Sequence, residues 1–197
     1  MVSIRQTSRK YHGRKAETYD EIREKQARWK WENEHVEQWL REVRPKSVLD
    51  VPCGTGRFLD VYRALKVRVV HGVDASDEMI GLAKRKVAPG DNTVLEVGYA
   101  TATGMQAGAF DCVVCVRFLD LIDEEAMRLV LTELYRVARK SVVLTIRLGT
   151  KYVPKSNTAE HDGPKFYRHM ARAGWQVGEK ALFRDAGWFI MRLERRK

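Results

Sequence analysis

The sequence predicts an α/β fold: a mostly parallel sheet with helices on both faces, closed by an antiparallel hairpin. Three observations carry this. Strand-like and helix-like segments alternate from residue 47 onward. Several strands, SVLDV and FDCVVCVRF among them, are apolar nearly throughout, as strands covered on both faces are. The last two strand-like segments are joined by only a short turn around Arg184–Gly187, which antiparallel neighbours allow and parallel ones do not.

The elements come in order along the chain. Residues 1–15 are polar and basic and are expected to form a flexible arm. Residues 17–43 contain no Gly or Pro, and Ile22, Trp29, Val36, Trp39, Leu40 and Val43 recur at near-helical spacing, so one long amphipathic helix ended by Pro45 is expected. Strands are expected at 47–51, 67–74, 93–97, 110–118 and 141–146, and helices at 56–66, 76–86 and 123–139. Ser76 can cap the second of these helices. The third has acids at its start and arginines toward its end, as the helix dipole favours. Residues 147–163 read as a long polar loop, and 164–174 as a helix opened by proline and closed by glycine. The hairpin 175–183 and 187–195 completes the chain.

The bulk numbers set bounds. At 197 residues, 44% apolar and 31% charged, one globular domain over 16–197 is expected, with residues 16–45 as an N-terminal helical lid. The chain has no apolar run long enough to span a membrane, and residues 1–15 hold no apolar signal core, so a cytoplasmic protein is expected. Net charge is +10, with the excess in residues 5–15 and 192–197. Such a surface attracts anions, nucleic acid included, or merely keeps the protein soluble. Of the three cysteines, Cys112 and Cys115 lie within one strand and face opposite sides of it, so neither a redox pair nor a zinc pair is expected. No metal is expected.

The stretch LDVPCGTGRFLD, residues 49–60, concentrates the chemistry. A strand ends on Asp50, a glycine-bearing turn comes next, and then a helix begins. It is no P-loop, since no G-x-x-x-x-G-K-[ST] occurs. Gly54 and Gly56 supply only part of a dinucleotide fingerprint. Leu59 stands where a third small residue would let helix and strand pack closely. Asp74 ends the second strand 18 residues after Gly56, where a carboxylate accepts from two ribose hydroxyls. Asp50, on the near side of the turn, can hold an ammonium group or brace the loop. The expected ligand has a ribose, an amino-acid end and no need of a pyrophosphate.

VLDVPCGTGRFL and VHGVDASDEMIGLAKRK together resemble motifs I and II of the class I S-adenosylmethionine-dependent methyltransferases. AFDCVVCVRFLDLI resembles motif IV of that family, and LTELYRVARKSVVLTI resembles its next helix and strand, so the likeness covers about residues 47–147. The resemblance implies a Rossmann-like, doubly wound, seven-stranded mixed sheet in three layers, its last strand antiparallel, with an added N-terminal helix. It implies S-adenosylmethionine as cofactor and S-adenosylhomocysteine as product. The loop Asp50, Pro52, Cys53, Gly54 and Gly56 would wrap the methionine part, with Val116 near it at the end of the fourth strand. Asp74 would hold the ribose, and Ala75 and Met79 would border the adenine.

Two positions depart from the family pattern. Pro52 replaces a glycine, so it cannot take a positive φ or donate an N–H, and Gly54 and Gly56 must carry the close approach. Tyr99 stands where relatives keep an aspartate for the adenine amino group, leaving that contact to Tyr99 and to backbone at Ala100 and Thr101.

Methyl transfer from a sulfonium is an in-line displacement in which the protein supplies alignment. Tyr19 is the expected tyrosine of the lid, with Tyr11 as second choice. Arg117 can bind an acidic substrate or pair with Asp120 or Asp123. His161, in the long loop, is the candidate base; His71 and His169 read as structural. Neither a [DNS]-P-P-[YFW] motif nor a Pro-Cys lies after the fourth strand, so base methylation of the usual nucleic-acid kinds is not expected. A small-molecule acceptor, methylated on O, N or C, is the leading reading. An RNA methyltransferase anchored by the basic arm, or a non-catalytic cofactor-binding partner subunit, are the alternatives. Oligomeric state is open.

Overall fold

A computed structural model describes residues 13–154, 158–184 and 187–196. Five strands run parallel in the order β3-β2-β1-β4-β5: β1 (Ser47–Asp50), β2 (Val69–Asp74), β3 (Thr93–Val97), β4 (Phe110–Cys115) and β5 (Ala138–Gly149). A short pair, β6 (Val153–Pro154) and β7 (Ala159–Asp162), adds to the C-terminal end of β5. Beyond β5 lie the hairpin strands β8 (Trp175–Phe183) and β9 (Trp188–Arg195). β9 is antiparallel to both β5 and β8. The main path, β3-β2-β1-β4-β5-β9-β8, is the seven-stranded mixed sheet that the resemblance implied, and the last strand along the chain, β9, is the antiparallel one.

Three layers result from strand alternation. Val113, Cys115, Leu144 and Ile146 face one side and pack with α6 (Glu124–Val137) and α7 (Gly163–Arg172) through Val130, Leu134, Phe166 and Met170. Cys112, Val114 and Val143 face the other. They meet α3 (Ala27–Val43), α4 (Leu59–Ala64) and α5 (Asp77–Lys84) through Val36, Leu40, Tyr62 and Ile80. Cys112 and Cys115 thus sit in opposite layers, each a buried free thiol. Ser76 caps α5, accepting from the Met79 amide at 3.3 Å, and Asp123 caps α6.

Three expectations need correction. The long helix over 17–43 is three helices: α1 (Arg14–Glu17), α2 (Tyr19–Glu24) and α3. Gln26 is extended (φ −84°, ψ 130°) and gives its amide oxygen to Arg117 Nη2 at 2.8 Å. Asp20 accepts from the Thr55 hydroxyl at 2.6 Å. Tertiary contacts therefore break a stretch in which no Gly or Pro announces a break. Ile22 lies on the displaced piece and faces solvent, 56% exposed, rather than the core.

Of the arm expected over 1–15, residues 1–12, Tyr11 among them, lie outside the described residues, and Arg14 and Lys15 begin α1. The loop expected over 147–163 instead extends β5 to Gly149 and forms β6 and β7. Only alternate residues of β7, Ala159 and His161, are buried, so its short inward face is hidden in polar sequence. Among the described residues no helix is long and apolar enough to cross a membrane.

Candidate cofactor and acceptor site

β1 turns one way in the sheet, to β2 and β3, while β4 opens the other half. Ligands of doubly wound sheets bind outside the strand ends at that switch. A cleft lies there, about 680 Å³ with its mouth open to solvent included. Its walls include Val51, Pro52 and Gly54 after β1, Asp74 and Ala75 after β2, Gly98 and Ala100 after β3, and Val116, Arg117 and Phe118 after β4. Met79 of α5 closes one end and Tyr19 of α2 the other. A second cavity of about 350 Å³ adjoins it. Asp50, Cys53, Arg57, Phe58 and Trp29 line this one, and it shares Tyr19, Pro52, Gly54, Val116 and Arg117 with the first.

The turn between β1 and α4 is held open toward the cleft. Gly54 has φ +54°, and a Cβ placed on it would meet no protein atom within 4 Å, so its backbone forms cleft floor. Gly56 (φ +75°) serves differently. A Cβ there would strike Leu59 Cδ1 at 2.7 Å and Ala83 Cβ at 3.2 Å, so this glycine lets the turn pack down on α4 and α5. Of the two glycines, Gly54 lines both cavities and Gly56 neither. The Val51–Pro52 peptide is cis, and Pro52 lines both cavities.

Two carboxylates flank the turn. Asp74 accepts from the Gly54 amide (Oδ2, 2.9 Å) and the Ser76 amide (Oδ1, 2.9 Å), which fixes its plane at the cleft edge. Burial raises its pKa, and those backbone N–H groups oppose the rise. Asp50 is 2% exposed and accepts from the Tyr62 hydroxyl at 3.0 Å. Burial pushes it to about 7, against the pull of Tyr62 and of the Arg57 guanidinium.

A buried ionic cluster backs the smaller cavity, which Arg57 and Arg117 line. Glu32 of α3, 1% exposed, faces Arg28 Nε (3.2 Å), Arg57 Nη1 (3.0 Å) and Arg117 Nε (3.6 Å). Arg57 also donates to Asn33 Oδ1 and to the Trp29 carbonyl, both at 2.7 Å, and lies over the Trp29 ring at 3.5 Å. Arg117 pairs with neither Asp120 nor Asp123. Its own backbone amide donates to Thr145 Oγ1 at 2.6 Å, and its φ is +60°.

Of the residues singled out from sequence, Tyr19, Pro52, Gly54, Asp74, Ala75, Met79, Ala100, Val116 and Arg117 meet on the larger cavity, and Asp50 and Cys53 on its neighbour. Tyr99 and Thr101 line neither: Tyr99 is 42% exposed and paired in a small bridge with Ala102, which turns it outward. His161 lines neither. Its ring is fully buried in β7, where Nε2 donates to the Leu119 carbonyl at 2.7 Å, and burial lowers its pKa. The solvated loop histidine expected there is instead a neutral imidazole holding the turn Leu119–Leu121. Sequence reasoning passed over Glu32 and Arg57. The signals available were the Arg28–Glu32 spacing on one helix and an arginine inside a turn of small residues. Among the described residues no three His, Cys, Asp or Glu side chains converge as metal ligands do.

This arrangement, a doubly wound sheet with two carboxylates about a glycine turn at its switch point, defines a Rossmann-like nucleoside-cofactor protein. Residues 48–141, a little under half of the chain, match the family model described as "Methyltransferase domain", which together with the fold supports a class I, Rossmann-like S-adenosylmethionine-dependent methyltransferase. A curated relative, the dTDP-4-amino-2,3,4,6-tetradeoxy-D-glucose N,N-dimethyltransferase of Saccharopolyspora spinosa, is 39% identical over 85 residues. That match takes in 42% of this chain and 34% of the relative, so the chain spans about a third of that protein's length. Among solved structures, a Pyrococcus horikoshii protein, PH0226, has a TM-score of 0.69 at 17% identity over 88% of this chain and 93% of that one. The magnesium protoporphyrin IX methyltransferase of Synechocystis PCC 6803, solved with S-adenosylhomocysteine, has a TM-score of 0.68 at 17% identity, over 82% and 81%. A Haloferax volcanii methyltransferase in complex with the activator Trm112 has a TM-score of 0.63 at 14% identity, over 77% and 82%.

Proposed function

We propose that this chain transfers a methyl group from S-adenosylmethionine to an O, N or C atom of a small-molecule acceptor by in-line displacement. The observation that carries the reading is Asp74, fixed by two backbone amides at the rim of a cleft whose floor is the bare backbone of Gly54. The residues present fit such a cofactor: a carboxylate for two ribose hydroxyls, a second carboxylate for an ammonium, and an apolar wall at Val73, Met79 and Ala100 for a base.

The cofactor supplies an activated methyl on a sulfonium. The chain's part is placement. Asp74 accepts from the ribose hydroxyls, Asp50 accepts from the amino end, and Tyr19 covers the join between the two cavities. Phe118 and Leu121 border the acceptor side and exclude water there. No residue on the cleft is assigned as a base, and displacement needs none when the acceptor atom is already deprotonated. The small-molecule class is supported by the sugar nucleotide and the magnesium protoporphyrin named for two of the related proteins.

The test is incubation with methyl-labelled S-adenosylmethionine and fractionated cell extract. Label entering the small-metabolite fraction, and lost with Asp74→Ala, is expected. Label entering only RNA or protein refutes the acceptor class, and no labelling from any fraction refutes the activity.

A further inference from the structure

We propose that the acceptor is an anion, a small molecule with a carboxylate or phosphate that pairs with Arg117. This rests on the methyltransferase reading and names the substrate class of that same site. Among the described residues, Arg117 is the one arginine that lines both cavities. Its side chain is only 8% exposed. Nε faces Glu32, and Nη2 donates to Gln26 Oε1 at 2.8 Å. Nη1 is buried with no hydrogen-bond partner among the described residues. A buried guanidinium N–H without an acceptor is costly, and a carboxylate or phosphate oxygen is the partner its planar fork fits best. Burial lowers the Arg117 pKa only to about 10, so the group stays charged at neutral pH.

The charges around the join point the same way. Arg23, Arg28, Arg57 and Arg117 stand near Glu32, Asp50, Asp74 and Asp120: four cations and four carboxylates when the carboxylates are ionised. S-adenosylmethionine carries a carboxylate, an ammonium and a sulfonium, and so adds one net positive charge. In a site this buried, that excess favours an anion as the next ligand. After transfer the sulfonium has become a neutral thioether, the excess is gone, and the anion is held less tightly, which aids release. The cofactor's own carboxylate is the competing source of an anion for Nη1, and the test separates the two.

Benzoate, phenyl phosphate and benzamide are titrated by calorimetry into the full chain saturated with sinefungin, which keeps a positive charge at the sulfonium position. The expected result is saturable binding of benzoate or phenyl phosphate about tenfold or more tighter than benzamide, a gap of one charge-assisted pair. Whichever of the two anions binds identifies carboxylate or phosphate. Arg117→Met is expected to abolish the preference and Arg117→Lys to keep part of it. Anions binding no better than benzamide, or a preference that survives Arg117→Met, overturns the proposal. A second arm compares S-adenosylhomocysteine with 5′-methylthioadenosine, which lacks the amino-acid end. If Arg117→Met weakens only the former, by about tenfold or more, the guanidinium holds the cofactor's carboxylate and the proposal falls. If the unaltered chain binds neither sinefungin nor S-adenosylhomocysteine, it is the methyltransferase reading that has failed.

Discussion

Replacing Asp74 tests the cofactor site most directly. In the free protein its oxygens already accept from the Gly54 and Ser76 amides, with the Ala75 amide adding to them, and the residue lines the cleft. Two ribose hydroxyls donating to an ionised carboxylate are worth about 1.5–3 kcal/mol apiece. Burial raises the Asp74 pKa, so part of that gain offsets the cost of a desolvated charge, and the lower end applies. The sum, about 3 kcal/mol, is roughly a hundredfold in dissociation constant. Calorimetry with S-adenosylhomocysteine and with 5′-methylthioadenosine should show the same loss for Asp74→Ala, because both carry the ribose. The Ala variant also strands the Gly54 and Ser76 amides, so a fall of about 1–3 kcal/mol in urea-melt stability is expected. In Asp74→Asn the amide NH2 must face one of those two donors, and a similar affinity loss is expected. A folded Asp74→Ala chain that binds either nucleoside within about threefold of the unaltered one refutes the assignment.

Two further outcomes come from the buried carboxylates. Asp50, pushed to about 7 by burial, must ionise to accept an ammonium. Cofactor affinity should therefore fall by about tenfold per pH unit below 7 and level off above it. A flat profile between pH 5 and 8 by calorimetry rules Asp50 out as the ammonium partner. For the free protein the sign reverses. The folded-state pKa of Asp50 is above its unfolded value of 3.8, so its contribution to stability is lost as pH rises toward 7. Glu133 is the opposite case. Its carboxylate takes the Arg136 guanidinium (2.7 Å) and the Thr103 amide (2.8 Å) and hydroxyl (2.6 Å). It is pulled from 4.5 to about 2, so its stabilisation is present above pH 4.5 and is lost as pH falls toward 2. Glu133→Gln should cost about 2 kcal/mol in a urea melt at pH 7, and no loss would contradict the pairing.

The sheet was legible because its signal is local and repeated. The central strands β1, β4 and β5 announce themselves by apolar residues on both faces, and Asp50 and Asp74 stand at strand ends where their spacing alone marks a cleft. What was not legible depends on partners distant in sequence. Nothing within residues 17–43 shows that Gln26 will turn to meet Arg117, 91 positions on, so the lid read as one straight helix. His161 read as a solvated loop residue because β7 buries only two side chains and one of them is polar. Tyr99 was placed on the adenine by analogy with an aspartate. The bridge to Ala102 instead turns its ring toward solvent, which no pattern of residue types encodes.

Glu32 shows how such distant pairings join the N-terminal helices to the cleft. A glutamate on an amphipathic helix is ordinarily solvated, yet here it is buried among guanidiniums from three separate segments: its own helix, the glycine turn and the end of β4. Removing one partner of a buried ionic group leaves the others uncompensated, at a cost of about 3–5 kcal/mol. With three cations left facing one another, Glu32→Gln belongs at the upper end, a large share of the roughly 5–15 kcal/mol that holds a domain folded. Because Arg57 lies in the turn that carries Gly54, the same change should loosen that turn and weaken S-adenosylhomocysteine binding. Added phosphate should restore stability more to the variant than to the unaltered chain, by supplying the missing negative charge. A Glu32→Gln chain within about 1 kcal/mol of the original by urea melt, or one indifferent to phosphate, would show that the arginines are balanced by solvent rather than by this carboxylate.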